Sequence, residues 1–247
     1  MSEGRVVLVT GGSRGLGAAI CRRLGSDGHT VVVNYFNSFA GAEKVVSDIK
    51  AAGGNARAYK ADIRNENEIR QLLDEIAVSV GPVEILVNNA TGPQPEKPVD
   101  QYEWRDFQDQ IDFFVKSPFF LMKYLAGPMK ERRWGNIINI VSEVADNCRP
   151  NFSPYIAAKM AELGLTRSWA QELGPWNISV NAVMPGWIPT ERHADTTEAD
   201  RENYAATVPM RHMGKPEDVA AVVSFLARDE NHFISGQKIG VNGALTF

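Results

Sequence analysis

Short apolar runs alternate along this chain with longer stretches in which apolar positions recur every three or four residues. The short runs are Val6–Val9, Thr30–Val33, Ala56–Ala61, Val83–Val87, Ile137–Val141, Ile178–Val183 and Lys238–Val241. A β-branched run such as Val6-Val7-Leu8-Val9 suits a strand buried on both faces of a parallel sheet. The intervening stretches, Ala18–Leu24, Ala40–Lys50, Glu66–Val80, Gln101–Arg133, Tyr155–Leu173 and Arg211–Ala227, read as helices. Strands separated by helices predict a doubly wound α/β fold: a parallel sheet of about seven strands with right-handed crossovers and helices on both faces. A chain of 247 residues forms one such core, so a single domain over 1–247 is expected.

The stretch Gln101–Arg133 carries Phe107, Ile111, Phe114, Pro118, Leu121 and Leu125 on one stripe. Pro118 and Gly127-Pro128 are expected to interrupt it. A stripe this aromatic belongs to a core or a subunit contact. Several strands end in a polar residue, Thr10, Tyr35, Asp62 and Asn88, and open α/β sheets bind ligands at those ends.

Composition narrows the partners. The chain carries 26 Lys plus Arg against 30 Asp plus Glu, a formal charge of −4, and no long run of like charge. Nucleic acid is therefore not expected as a partner. Cys21 and Cys148 lie far apart and the four histidines are scattered, so no metal site and a reducing compartment are predicted. The first apolar run is too short for a signal peptide or a membrane span, which predicts a soluble, cytoplasmic protein with no membrane partner.

Two stretches carry candidate chemistry. The first strand runs into Thr10-Gly11-Gly12-Ser13-Arg14-Gly15-Leu16-Gly17 ahead of a helix. Glycines there let backbone amides and the positive end of a helix approach a pyrophosphate. A triphosphate-binding loop requires Gly-Lys-Ser/Thr, and no lysine is present. The second stretch is the strand Ile137–Val141, ending in Ser142, with Tyr155 thirteen residues on and Lys159 one helical turn further. Ser153-Pro154 reads as an N-cap and first helical position, so Tyr155 opens a helix and shares a face with Lys159. A nearby cation and the helix N-terminus both favour a phenolate, which makes Tyr155 a usable general acid or base.

The Thr-Gly-x-x-x-Gly-x-Gly order and the Ser142, Tyr155, Lys159 spacing resemble the short-chain dehydrogenase/reductase family, and within it the 3-oxoacyl-acyl-carrier-protein reductases. The resemblance extends through Asn88-Asn89-Ala90, Pro185-Gly186 and the C-terminal segments. It implies an oxidoreductase that interconverts a carbonyl and a secondary alcohol on a small-molecule substrate. In that scheme Ser142 hydrogen-bonds the substrate oxygen, Tyr155 protonates it, and Lys159 supports Tyr155 and holds the nicotinamide ribose. The implied cofactor contacts are Gly11, Ser13, Arg14, Gly15, Leu16, Gly17, Asn37, Ser38, Asp62, Ile63, Asn89, Ala90, Tyr155, Lys159, Pro185, Gly186, Ile188 and Thr190. Asp62 matches the adenine contact, and Ile188 and Thr190 match contacts to the nicotinamide half. The resemblance also implies a homodimer or homotetramer and a variable lid over about residues 187–210.

No acid follows the second strand in Asn34-Tyr35-Phe36-Asn37-Ser38 to repel a 2′-phosphate, and Arg14 is placed to pair with one. NADP(H) is therefore the preferred cofactor, with NAD(H) as the alternative. Glu143, next to Ser142, is expected to face solvent. Relatives commonly place an asparagine where this chain has Phe114, and that asparagine sits at a helix kink and a relay water behind the lysine. Two readings follow: catalysis with the water held by backbone carbonyls, which is favoured, or a lowered or absent activity. The competing functions are an NAD-dependent alcohol, sugar or steroid-type dehydrogenase and a non-catalytic dinucleotide-binding protein.

Overall fold

The computed structural model describes residues 4–247. Its strands are β1 (Val6–Val9), β2 (Thr30–Tyr35), β3 (Asn55–Lys60), β4 (Ile85–Asn88), β5 (Gly135–Ile140), β6 (Ile178–Pro185) and β7 (Lys238–Val241). The helices between them are α1 (Gly15–Ser26), α2 (Phe39–Ala51), α3 (Glu66–Ser79), α4 (Trp104–Ile111), α5 (Ser117–Arg132), α6 (Val144–Asn147), α7 (Ser153–Leu173), α8 (Glu198–Thr207) and α9 (Pro216–Ala227). All seven strands join one sheet in the order β3-β2-β1-β4-β5-β6-β7, and every pairing is parallel.

Strand periodicity divides the core into two layers. Val7 and Val9 of β1 and Val31 and Val33 of β2 pack with Ile20 and Leu24 of α1, Ile49 of α2 and Val223 of α9. Leu8, Val32, Leu86 and Ile137 face the other way, against Ile69 and Ile76 of α3, Leu121 and Met129 of α5 and Leu173 of α7. Both faces of the sheet are therefore covered, which explains why β1 and β4 are entirely buried.

The chain leaves β1 towards β2 on one side and returns to add β4 on the other, so the strand order reverses between β1 and β4. At such a switch point the flanking crossovers splay apart and leave a crevice at the carboxyl ends. Thr10, Ser142 and Gly186 follow strand ends on that side, and Asn88 closes β4 there.

The long helical stretch departs from its expected form. Pro128 sits inside α5 without ending it. Pro128 is exposed, so the carbonyl that loses its helix donor lies on the solvent side of α5, where the loss costs least. Between α4 and α5, Asp112–Lys116 widens into a π turn, with the Ser117 amide bonded to the Asp112 carbonyl. No helix among the described residues is long and apolar enough to cross a membrane.

Candidate active site

The glycine turn is braced from β4. The Thr10 hydroxyl accepts hydrogen bonds from the amides of Asn89 at 2.9 Å and Ala90 at 3.1 Å. The Asn89 side chain donates back to the carbonyl of Thr10 at 2.9 Å and of Gly11 at 3.2 Å. These four bonds fix the loop on the mouth of the crevice. A Cβ on Gly17 would run into the Gly11 carbonyl oxygen and Asn89 Nδ2, so only glycine lets α1 approach this closely. Gly11 and Gly15 have φ of 63° and 53°, in the left-handed region that glycine tolerates best.

Helix α1 starts behind this loop with no side-chain cap and no acidic residue in its first turn. Its leading amides are left for an external anion, and the helix dipole favours negative charge there. The residues present therefore fit a dinucleotide pyrophosphate. Arg14 is exposed at the same turn. Ser13 and Ser38 come together over α2, where a Cβ on Gly41 would lie 2.7 Å from the Ser13 carbonyl oxygen and 2.6 Å from the Ser38 hydroxyl. Thr190 reaches the loop from the far side, with its Cβ 3.3 Å from where a Gly15 Cβ would be.

Asp62 follows β3 and is engaged by Arg64, whose guanidinium contacts both carboxylate oxygens at 2.9 and 2.7 Å. Those hydrogen bonds hold the Asp62 carboxyl below the usual carboxylate range. Arg64 also lies 5.6 Å from the Phe36 ring, which brings a second guanidinium to the end of β2. Ile63 and Ile188 are buried, and Asn37 is exposed.

Ser142, Tyr155 and Lys159 are placed by β5 and α7. Helix α7 begins at Ser153 with Phe152 as its capping residue and Pro154 in the first turn. Ser153 is thus helical rather than the N-cap, and Tyr155 still sits in the opening turn. The Ser142 hydroxyl is half-buried and accepts a hydrogen bond from the Val144 amide at 3.4 Å. The Tyr155 ring is gripped by Phe152 at 4.8 Å and by Phe114 edge-on at 5.4 Å between centroids.

Lys159 is buried, and its ammonium donates to the Ile140 carbonyl at 2.6 Å and to Glu162 Oε2 at 2.8 Å. It lies 3.6 Å from the centroid of the Phe114 ring and 5.8 Å from that of Tyr155. The bulge expected from an asparagine at position 114 therefore forms without one, and an aromatic face covers the ammonium. Glu162 is not among the residues that the sequence motifs single out. Its signal was the i, i+3 spacing from Lys159, which puts a carboxylate on the buried face of α7.

Glu143 corrects the expectation of solvent exposure: it is 4% exposed. Its Oε1 accepts from the Tyr204 hydroxyl of α8 at 2.7 Å, while Tyr204 accepts from the Trp187 amide at 2.8 Å. Burial pushes the Glu143 carboxyl up and the Tyr204 bond opposes it. This cluster fastens α8 to the Pro185-Gly186 turn. On the other flank, the Arg192 guanidinium donates to the Thr91 hydroxyl at 3.2 Å and the Gly92 carbonyl at 2.7 Å, tying the same segment to the loop after β4.

Comparison with known proteins agrees with this geometry. Residues 11–246 match the family model described as enoyl-(acyl carrier protein) reductase. The 3-oxoacyl-acyl-carrier-protein reductase FabG of Staphylococcus aureus strain Mu50 is 35% identical over 245 residues, covering 99% of each chain. FabG of Pseudomonas aeruginosa is also 35% identical, over 243 residues and 98% of each chain. Among solved structures, a 7α-hydroxysteroid dehydrogenase complexed with NADH and 7-oxo glycochenodeoxycholic acid superposes with a TM-score of 0.93 at 33% identity. That superposition covers 98% of this chain and 94% of the other. The chain belongs to the short-chain dehydrogenase/reductase family and is an NAD(P)-dependent oxidoreductase acting on CH–OH and C=O groups.

Proposed function

We propose that this enzyme is an NADP(H)-dependent ketoreductase of 3-oxoacyl type, with Tyr155 as its general acid and base. The observation that supports the reading is the Lys159 ammonium bonded to the Ile140 carbonyl at the end of β5, which sets α7 and its Tyr155 beside the strand end that Ser142 follows. The bound cofactor supplies the hydride, so the protein orients substrate and moves the proton. Ser142 donates a hydrogen bond to the carbonyl oxygen as charge develops there. Tyr155, fixed between Phe114 and Phe152, gives its phenolic proton to the same oxygen. Lys159 stands behind it as the cation of the site. The segment about 187–210, pinned by Tyr204 and Arg192, serves as the lid.

The phosphate preference rests on charge. Arg14 is exposed at the glycine turn, Arg64 lies near Phe36, and no acid follows β2. Gly11, Ser13, Gly15, Leu16 and Gly17 are assigned to the pyrophosphate turn, and Asn37 and Ser38 to the adenosine ribose. Asp62, Ile63, Asn89 and Ala90 are assigned to the adenine side. Pro185, Gly186, Ile188 and Thr190 are assigned to the nicotinamide side. The half-buried Phe107 and Ile111 and the exposed Phe119 on α4 and α5 support a homodimer or homotetramer, which light scattering after size exclusion measures directly. A cytoplasmic setting accords with the two free cysteines.

The test has two arms. Fluorescence titration with NADPH and NADH should show tighter NADPH binding. A panel of 3-oxoacyl thioesters, quinones, ketosugars and ketosteroids should then be reduced fastest in its thioester members. The NADH-bound steroid dehydrogenase favours a second reading, an NAD-dependent dehydrogenase. Tighter NADH binding with faster steroid or sugar turnover would replace the first reading by that one. Binding with no turnover on any member would make the protein a dinucleotide-binding module.

A further inference from the structure

Lys159 and Glu162 form an ion pair whose side chains are 4% and 2% exposed. Moving two charges out of water costs several kcal/mol per ion before their attraction is counted. A protein that needs only packing at this spot is served as well by an apolar pair. The pair also lies directly behind Tyr155, on the helix face that carries Thr166 one turn further on.

The surroundings of the carboxylate define its options. On α7 itself, Lys159 donates to Oε2, and the Thr166 hydroxyl donates to the backbone carbonyl of Glu162 at 2.9 Å. From β5, the Asn139 side chain donates to Thr166 at 2.8 Å, and from β4 the Asn88 side chain donates to Asn139 at 2.8 Å. The Ile140 carbonyl takes a second Lys159 proton, and the Phe114 ring of the π turn closes over the ammonium. Thr166, Asn139 and Asn88 thus satisfy one another without neutralising the carboxylate, and among the described residues Lys159 is the one charged group that acts on it. Burial pushes the Glu162 carboxyl up to about 7, against the pull of Lys159. A carboxyl poised there exchanges protons readily at neutral pH.

Position 114 supplies no polar group behind the lysine in this chain. We propose that Glu162 is the positioning and proton-holding partner of Lys159, replacing at the back of the site the polar side chain that Phe114 cannot offer. This rests on the reading of Tyr155 as the proton donor. The balance closes on one proton. As Tyr155 loses its O–H proton to the substrate oxygen, the proton that restores the phenol leaves Lys159 and reaches the phenolate through an intervening water, because the ammonium's own hydrogen bonds go to Ile140 and Glu162. The Glu162 carboxyl gives its O–H proton to the Lys159 amine and keeps the electron pair as carboxylate, and solvent reloads it. Oxidation of an alcohol runs the same steps in reverse. Reduction therefore draws on protonated Glu162, below about pH 7, and oxidation on the carboxylate above it.

The experiment compares wild type, Glu162→Gln, Glu162→Asp, Phe114→Asn and the Phe114→Asn/Glu162→Gln double variant. Each is assayed with NADPH and the fastest carbonyl of the panel across pH 5.5 to 9. Glu162→Gln should lower kcat by about 10²-fold, leave KM little changed, and remove the limb of the profile near pH 7. Phe114→Asn in that background should restore part of kcat. Infrared spectra of the cofactor-free wild type should show a carboxyl that protonates near pH 7, and that band should move in Glu162→Asp. The infrared readout also decides the case if Glu162→Gln fails to fold. Wild-type kcat with an intact limb in Glu162→Gln would overturn the proposal, as would an equal loss at every pH or no carboxyl titrating between pH 6 and 8. Full activity in Tyr155→Phe would instead overturn the reading of Tyr155.

Discussion

Replacing Phe114 by leucine tests whether the aromatic face over Lys159 holds this site together. Phe114 is 2% exposed and belongs to a small cluster with Val144, Phe152, Tyr155 and Ala158. Leucine fills most of the volume, so the cavity contribution is small and the lost terms are specific. A cation over a ring in a desolvated site contributes about 2 kcal/mol, and the ammonium here is 3.6 Å from the centroid. The edge-on contact with Tyr155 at 5.4 Å adds about 1 kcal/mol. The total is about 3 kcal/mol. For a chain of this size each kcal/mol shifts Tm by roughly 2–4 °C, so Phe114→Leu should melt roughly 6–12 °C below wild type. Calorimetry at pH 7 measures this, and a double-mutant cycle with Lys159→Met isolates the cation–ring term, expected at about 1–2 kcal/mol. A Tm within about 2 °C of wild type, or a coupling energy near zero, would show that the ring contributes no more than its volume.

Two further perturbations act at opposite ends of the crevice. Tyr204→Phe removes the oxygen that joins Glu143 to the Trp187 amide, leaving the buried Glu143 carboxyl without this donor, at about 1–3 kcal/mol, and the half-buried Trp187 amide without its acceptor. The Glu143 carboxyl, already raised by burial, rises further without this bond. A carboxyl raised on folding adds stability below its unfolded pKa and loses it as pH rises through the folded value. The deficit of Tyr204→Phe should therefore be larger at pH 8 than at pH 5 in urea unfolding, and a deficit larger at pH 5 would contradict the placement of Glu143. At the other end, Gly17→Ala forces a methyl against the Gly11 carbonyl and the Asn89 side chain. It should destabilise the fold by about 1–3 kcal/mol and weaken dinucleotide binding well beyond what that loss explains, as read by fluorescence titration.

Much of this architecture is legible before any coordinates. Val6–Val9 and Lys238–Val241 have the same limits in the structure as in the pattern, because strand ends coincide with glycine turns. Thr10, Asn88 and Ser142 were visible as polar residues closing apolar runs, which locates the crevice. The features that escaped depend on partners far away in the chain. Glu143 looks like a surface charge because Tyr204, its partner, lies 61 residues on. The π turn leaves no periodic trace, since one extra residue in a helix only shifts the stripe by a fraction of a turn. Proline at 128 read as a break because sequence alone does not show that its face is exposed. Glu162 was legible in principle: three residues after Lys159, it lies on the helix face that Tyr155 and Lys159 share.

Proton delivery by Tyr155 is isolated by Tyr155→Phe in a single-turnover assay with prebound NADPH. The variant keeps the ring against Phe114 and Phe152 and lacks only the hydroxyl. NADPH should bind as in wild type while its oxidation by the best carbonyl of the panel falls by about 10³-fold. Turnover at the wild-type rate would show that another group supplies the proton.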